Sequence, residues 1–165
     1  MAVDLTSKDK REQILAYLHS LLGTVPGIVG AYRNRGELEG LKRPAAILLD
    51  GREDLVTEIR GQSLNAMPAA IFRILPQVFI ICQARDNAQN LTVNGVAAPI
   101  GPELSAFRTA VVKALAGDVN LAAYLGSSGQ VEFLGAITDM QTGSTLEGQM
   151  QLNFALTYVL DPRAL

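Results

Sequence analysis

Residues 149–160 alternate strictly between two sets of side chains. One set is apolar throughout: Met150, Leu152, Phe154, Leu156, Tyr158 and Leu160. The other set begins polar and then becomes mixed: Gln149, Gln151, Asn153, Ala155, Thr157 and Val159. A period of two predicts one long strand with one face in a core, and Asp161-Pro162 ends it because proline cannot donate to a ladder. The second set is polar without being charged, which favours contact with another part of the chain or with a second subunit.

Composition limits the class of protein. The chain has 165 residues, which predicts a single α+β domain spanning 1–165. A net charge of −2 gives no basic patch, so we expect no nucleic-acid recognition. Apolar stretches are far shorter than the roughly twenty residues of a membrane-spanning helix, and 1–11 lacks the apolar segment of a signal peptide, so we expect no membrane and no export. Cys82 is the single cysteine, which fits a reducing cytosol and excludes an internal disulfide.

Two amphipathic helices are predicted. The first runs from about Lys8 to Leu22, after a frayed segment 1–7, with Ser7 or Asp9 as its cap and Gly23 as a left-handed stop. The second begins near Pro102 and ends at Gly117, and its apolar stripe consists of Leu104, Phe107, Val111 and Leu115. Asp118 can cap a further short helix over 119–125.

The remaining apolar segments predict strands, separated by loops over 33–43 and 85–101. The strand segments are 28–32, 45–49, 55–59, 71–84, 130–142 and 146–160. Asp50-Gly51 is a turn signal, so 45–49 and 55–59 are expected to form a hairpin. Pro76 interrupts the fourth segment, which implies an edge position, a bulge or a bend. The fold class is therefore α+β: an antiparallel or mixed β-sheet with two main amphipathic helices packed on one face and a long C-terminal β-hairpin.

Few residues have a sequence context that favours catalysis. His19 is the single histidine and is best interpreted as a boundary residue, and Cys82 as a small buried hydrophobe. Asp50, Glu53 and Asp54 cluster in the predicted turn, where a solvated turn is favoured over a metal or acid–base site. Glu132 and Asp139 are seven positions apart, which places them on opposite faces of a regular strand. Phosphate-binding motifs are absent and Gly126–Gly129 precedes a strand, so we expect no enzyme, metal or cofactor.

The order of the segments carries a resemblance that covers about 8–162. In sequence they are the helix KREQILAYLHSLL, the strand and acidic turn PAAILLDGRED, the strand IFRILPQVFIICQAR, the helix PELSAFRTAVVKAL, and the paired strands VEFLGAITDMQTG and GQMQLNFALTYVLDP. This layout resembles the tail terminator (tail completion) proteins of long-tailed bacteriophages. The resemblance rests on layout and on the alternating run into Asp-Pro, since the family has no sharp signature.

The resemblance implies a structural virion protein, assembled in the host bacterial cytoplasm. Such subunits form a ring, usually six-fold, that caps the head-proximal end of the tail tube, ends its polymerisation and offers the head a docking surface. The implied partners are further copies of the chain, the tail tube protein and a neck or head-completion (connector) protein, and no catalytic residue is carried over. The candidate interface residues come from the two loops and the polar strand face: Arg33, Arg35, Lys42, Arg43, Asn87, Asn90, Asn94, Gln149, Gln151 and Asn153.

Other functions remain open. The first is another neck or head-completion protein of a phage or phage-like particle, including a bacterial contractile or gene-transfer particle. The second is a small cytosolic ligand-binding or catalytic α+β domain, whose pocket would draw on Asp50, Glu53, Asp54 and His19. For the loop 33–43, the alternative to a subunit contact is an exposed loop of mixed charge.

Overall fold

The computed structural model describes residues 9–59, 68–82, 85–86, 92–93, 96–97, 100–141 and 145–161. The helices are α1 (Lys10–Thr24), α2 (Ile100–Gly117) and α3 (Val119–Leu125). The strands are β1 (Gly30–Arg33), β2 (Ala45–Glu58), β3 (Ala70–Ile81), β4 (Arg85–Asp86), β5 (Thr92–Val93), β6 (Val96–Ala97), β7 (Gln130–Gln141) and β8 (Thr145–Leu160). The predicted α+β class is confirmed.

The main sheet is open and mixed. Its strand order is β1-β2-β3-β8-β7, and the short β4 pairs with β8 beyond the end of β3. All pairs in it are antiparallel except β1 with β2. β7 and β8 form the long C-terminal hairpin that the sequence predicts. The strands β5 and β6 pair with each other within the predicted loop 85–101, so that segment contains more regular structure than expected.

The core lies between one face of the sheet and the helices. The apolar set of β8 is buried there from Met150 to Tyr158, as its alternation predicts. The stripes of α1 and α2 meet the same cluster through Leu18 and Val111, and α3 adds Leu121. Among the described residues, no helix is long and apolar enough to cross a membrane.

Helix α1 begins at Lys10 and ends at Thr24, each two residues after the predicted position. The carboxylate of Asp9, one of the two predicted caps, accepts the peptide N–H of Arg11 at 3.0 Å. The prediction that Gly23 ends the helix in a left-handed conformation is wrong, because the helix continues through Gly23 to Thr24. The hydroxyl of Thr24 donates to the Leu21 carbonyl at 2.7 Å and the N–H of Val25 donates to Leu22, so the last carbonyls are satisfied without a glycine stop.

The prediction of a hairpin at Asp50-Gly51 is wrong, because a single strand, β2, runs through both residues. It is one strand of 14 residues that pairs with β3 along its length, with register shifts between Leu49 and Arg52 and between Leu55 and Thr57. Leu49 pairs with Gln77 and Arg52 with Leu75, so Asp50 and Gly51 together lie opposite Pro76 in a β-bulge. Because Pro76 has no N–H to donate, the ladder is interrupted at the residue where the bulge lies. The bulge expected from Pro76 is confirmed, but β3 is an interior strand and not an edge.

A further bulge lies in β7. Phe133 pairs with Phe154 and Gly135 with Asn153, which leaves Leu134 as an extra residue. The extra residue reverses the alternation, so Glu132, opposite Ala155, and Asp139, opposite Gln149, lie on the same face. The prediction of opposite faces is wrong for this reason. The two carboxylates are still separated by roughly 20 Å along the strand and do not form a pair.

The bulge in β2 requires glycine at position 51. Gly51 has a φ of 69°, and a Cβ added there would lie 1.8 Å from the Leu75 carbonyl oxygen. We expect Gly51→Ala to lower the free energy of unfolding by more than about 2 kcal/mol, since strain and backbone overlap both oppose the side chain. Urea unfolding measures it. Gly36→Ala is the matched control because a Cβ there meets nothing within 4 Å, and an equal loss in both variants would contradict the role of the bulge.

Candidate functional site

The sheet face opposite the helices is called here the second face. It comprises Ala45, Ile47 and Leu49 of β2, Phe79 and Ile81 of β3, and Gln149, Gln151 and Asn153 of β8. At one end, Ala45, Ile47 and Ile81 form a small apolar cluster with Leu38 and Leu41 of the loop 34–44. The loop thus covers part of the second face with two leucines embedded in a charged sequence.

Side chains of the loop fold it onto the sheet. The hydroxyl of Tyr32 accepts the peptide N–H of Lys42 at 2.9 Å. The guanidinium of Arg35 lies 4.9 Å from the centre of the Tyr32 ring and donates to the Glu39 carbonyl at 2.8 Å. Arg43 donates to the Leu38 carbonyl at 3.3 Å. The predicted interface residues Arg35 and Arg43 therefore shape the loop, while Lys42 is exposed.

A cavity of about 250 Å³ lies between the loop and the second face. Its wall is mainly apolar, with one guanidinium and one amide, and its lining residues are Arg35, Gly36, Leu38, Ile47, Leu49, Phe79, Ile81 and Gln149. Arg35 and Gln149 come from different predicted interface segments, and the fold brings them to one site. The leucine at position 38 was not among the sequence candidates, although an apolar residue in a charged loop is a usable signal.

The polar residues of β8 lie beside the cavity and toward β7. The amide of Gln149 donates to an Asp139 carboxylate oxygen at 3.2 Å, and the amide of Gln151 donates to the Asn153 side-chain oxygen at 2.8 Å. All three β8 side chains are half-buried. Next to them, β7 exposes Leu134 and Ile137, whose exposed fractions are 56% and 61%. The second face therefore ends in exposed apolar side chains at the β7 edge, which the sequence analysis missed because the bulge disrupts the alternation.

Arg33 faces a different environment. Its guanidinium binds both oxygens of Glu12, at 2.6 and 2.8 Å, and both oxygens of Asp50, at 2.7 and 2.8 Å. Asn34, at φ 51°, donates to Asp50 at 2.9 Å and accepts its peptide N–H at 3.1 Å. This Arg33 cluster joins α1 to β1 and β2. Arg33 thus has an intramolecular role, since it links Glu12 and Asp50. Its role at a subunit interface stays a prediction.

Charge pairing shifts the pKa values in the Arg33 cluster. The hydrogen bonds from Arg33 hold the pKa of Glu12 below its ordinary value. Burial raises the pKa of Asp50, but hydrogen bonds from Arg33 and Asn34 outweigh burial, so the net shift is also downward. The two carboxylates raise the pKa of Arg33 in turn. The cluster is therefore fully ionised at neutral pH.

The acidic residues considered for a ligand site do not converge. Glu53 accepts the Tyr158 hydroxyl at 2.9 Å and pairs with Arg11 at 3.3 Å, whereas Asp54 pairs with the exposed Arg52 at 2.9 Å. Burial, followed by the bond to Glu53, raises the pKa of Tyr158. In the described part of the chain, no group of three or more His, Cys, Asp or Glu is placed to hold a metal ion.

The remaining residues singled out from the sequence are His19, Cys82 and three asparagines of the loop 85–101. His19 is half-buried, at the boundary that the sequence predicts, and Cys82 is buried. Asn87, Asn90 and Asn94 lie outside the described residues. Compared with protein-family models and with curated proteins, the chain has no match.

Loss of the cation at the centre of the Arg33 cluster has a predictable cost. We expect Arg33→Leu to lower the free energy of unfolding at pH 7 by about 2 kcal/mol, because two carboxylates lose their shared partner. Arg52→Leu is the control, since Arg52 is 75% exposed and its pair with Asp54 contributes at most about 0.5 kcal/mol. Chemical unfolding at pH 7 compares the two.

The same variant tests the pH dependence. Both carboxyls have lower pKa values folded than unfolded, so the contribution of the cluster is fully present above about pH 5. It is lost as the pH falls through the lowered folded pKa values. We expect the stability difference between the wild type and Arg33→Leu to narrow at pH 3, and a difference that stays constant from pH 7 to pH 3 would contradict the assignment.

Proposed function

We propose that the protein is a structural subunit of a tailed-bacteriophage virion, a tail terminator that forms a ring on the head-proximal end of the tail tube. The ring ends tube polymerisation and provides the surface that joins the head. The observation that carries the proposal is the β8 part of the second face: Gln149, Gln151 and Asn153 form a half-buried, polar but uncharged strip beside the exposed Leu134 and Ile137 of β7.

The composition of that strip supports a protein partner. The centres of protein interfaces are depleted in charged residues and combine apolar contacts with hydrogen-bonding groups. Gln151 and Asn153 supply amide groups with unused hydrogen-bonding capacity, because each amide has more donors and acceptors than their mutual bond uses. The adjoining Ile137 supplies apolar area.

The presence of two distinct surfaces on the subunit supports contact with further copies of the chain. A closed ring needs two different patches on each subunit, one for each neighbour. The second face and the loop 34–44 are different surfaces on the same side of the sheet. Further surfaces would meet the tail tube protein and the neck or head-completion protein, and the proposed role includes no turnover of a substrate.

The first experiment is the mass of the free protein in solution over a wide concentration range, with and without magnesium. We expect a discrete species near six copies of the 17.6 kDa chain, about 106 kDa. Light scattering and native mass spectrometry both measure it. A protein that stays monomeric at every concentration would count against a self-assembling ring.

A single substitution separates interface from fold. We expect Asn153→Arg to leave the thermal midpoint close to that of the wild type and to abolish assembly, because the new charge enters the polar strip. Room exists there, since Asn153 pairs with Gly135, at which a Cβ would meet nothing within 4 Å. Asn120→Arg, on the exposed start of α3, is the matched control and should assemble normally.

A substitution in the core shows how loss of folding differs from loss of assembly. Phe154 is 1% exposed, so Phe154→Asp should cost about 3 kcal/mol or more and unfold the subunit itself. Circular dichroism distinguishes that outcome from lost assembly. Normal assembly of Asn153→Arg would remove this strip from the interface.

The cavity under the loop 34–44 favours one competing function, a small ligand-binding domain. Its apolar wall and the guanidinium of Arg35 would suit a small apolar molecule with an anionic end. Thermal stabilisation by a specific metabolite, with no assembly at any concentration, would favour this function over the ring. A neck or head-completion protein would instead assemble but bind connector rather than tube subunits.

A further inference from the structure

The two outermost strands of the main sheet each pair on one side only. β1 pairs with β2 and β7 pairs with β8, and no described residue supplies a strand on their outer sides. Gly30 and Asn34 donate their N–H groups inward, to Pro44 and Leu48. Because strand residues alternate in direction, the N–H and C=O of Ala31 point outward. Such edges are templates for pairing with another chain.

The directions of the two edges suit each other. β1 is parallel to β2, and each later step across the sheet, from β2 to β3, β8 and β7, is antiparallel. β7 therefore runs opposite to β1. When two copies lie side by side in the same orientation, β7 of one meets β1 of the next as an antiparallel pair, which is the commoner kind.

Residue rows across the sheet show what would meet at such a junction. One row of paired residues is Asp139, Gln149, Ile81, Ala45 and Gly30, and the next is Ile137, Gln151, Phe79, Ile47 and Tyr32. Each row begins with an exposed β7 side chain and ends on β1. The exposed Ile137 and Asp139 are thus in line with the β1 edge, where Lys42 binds the Tyr32 hydroxyl through its peptide N–H.

Apolar and charged groups at the two edges are complementary. The row of the exposed Ile137 ends on β1 at the half-buried ring of Tyr32. β7 carries Glu132 and Asp139 and no lysine or arginine. At the β1 edge, Lys42 is an exposed cation on the same side of the sheet as these carboxylates.

We propose that the occupant of the β7 edge is a second copy of this chain, which joins through its β1 edge and extends the sheet across the subunit boundary. Ile137 packs near Tyr32 of the neighbour, at the end of its own row, and Asp139 lies within reach of the neighbour's Lys42. The contact is heterologous, because each copy offers one edge to each side. The inference rests on the proposed function to the extent that it names the contact from which the ring is built.

Charge reversal at both ends of the contact tests the inference. Asp139→Lys and Lys42→Glu each place like charges at the junction, and each should raise the apparent dissociation constant of the assembly about tenfold or more. The double variant restores opposite charges in reversed order, so its assembly should return to within about threefold of the wild type. An equimolar mixture of the two single variants should also assemble if the copies alternate. At one junction the lysine introduced at position 139 meets the glutamate introduced at position 42, and at the next the unchanged Asp139 meets the unchanged Lys42.

A control variant and the possible outcomes separate the edge contact from the ring. Lys113→Glu, an exposed reversal on α2, should assemble as the wild type does, and thermal midpoints check that all variants fold. A wild-type ring that tolerates both reversals, or that the double variant does not restore, overturns the edge contact and leaves the ring standing. Dimers or open chains governed by these charges keep the contact and overturn the ring. A wild type that is monomeric throughout overturns both.

Discussion

The central strand β3 requires cover on both faces, and the rest of the architecture depends on meeting that requirement. Val78 and Ile80 point toward the helices, while Phe79 and Ile81 point to the second face. The hydrophobic effect, at about 25 cal/mol per Å² of buried apolar area, penalises leaving either side in water. The helices cover one side. Among the described residues, the loop 34–44 covers one end of the other side, and the remaining strip of that face ends at β7.

The elements predicted well are those in which local pattern and tertiary packing agree. The alternation of β8 and the Asp118 cap of α3 each give the observed element, because burial and capping follow from neighbours in sequence. Asp50-Gly51 failed as a hairpin signal because a glycine with positive φ serves a turn and a bulge equally. The difference lies in Pro76, whose position opposite Gly51 exists only after β2 and β3 have paired.

In the candidate site, too, individual residues were predictable from local pattern, whereas their arrangement depends on tertiary packing. The polar face of β8 was visible from its period of two, and Arg35 from the charge of its loop. Their meeting at one cavity depends on the crossing of the loop over the sheet, which no spacing reveals. Arg33 has partners 17 and 21 positions away, so sequence could not distinguish its paired guanidinium from the exposed charge of Lys42. Whether these residues contact other subunits stays a prediction.

The place of β8 in the sheet has a consequence for synthesis. It follows every other described strand in sequence, yet it lies between β3 and β7. While a ribosome is still producing β8, β3 lacks its second neighbour and β7 has no strand to pair with, so neither the core nor the β7 edge is complete. A nascent or truncated chain therefore presents the β1 edge without a matching β7 edge. Under the edge-to-edge contact proposed above, such a chain would bind one neighbour at most and would end the growth of an assembly.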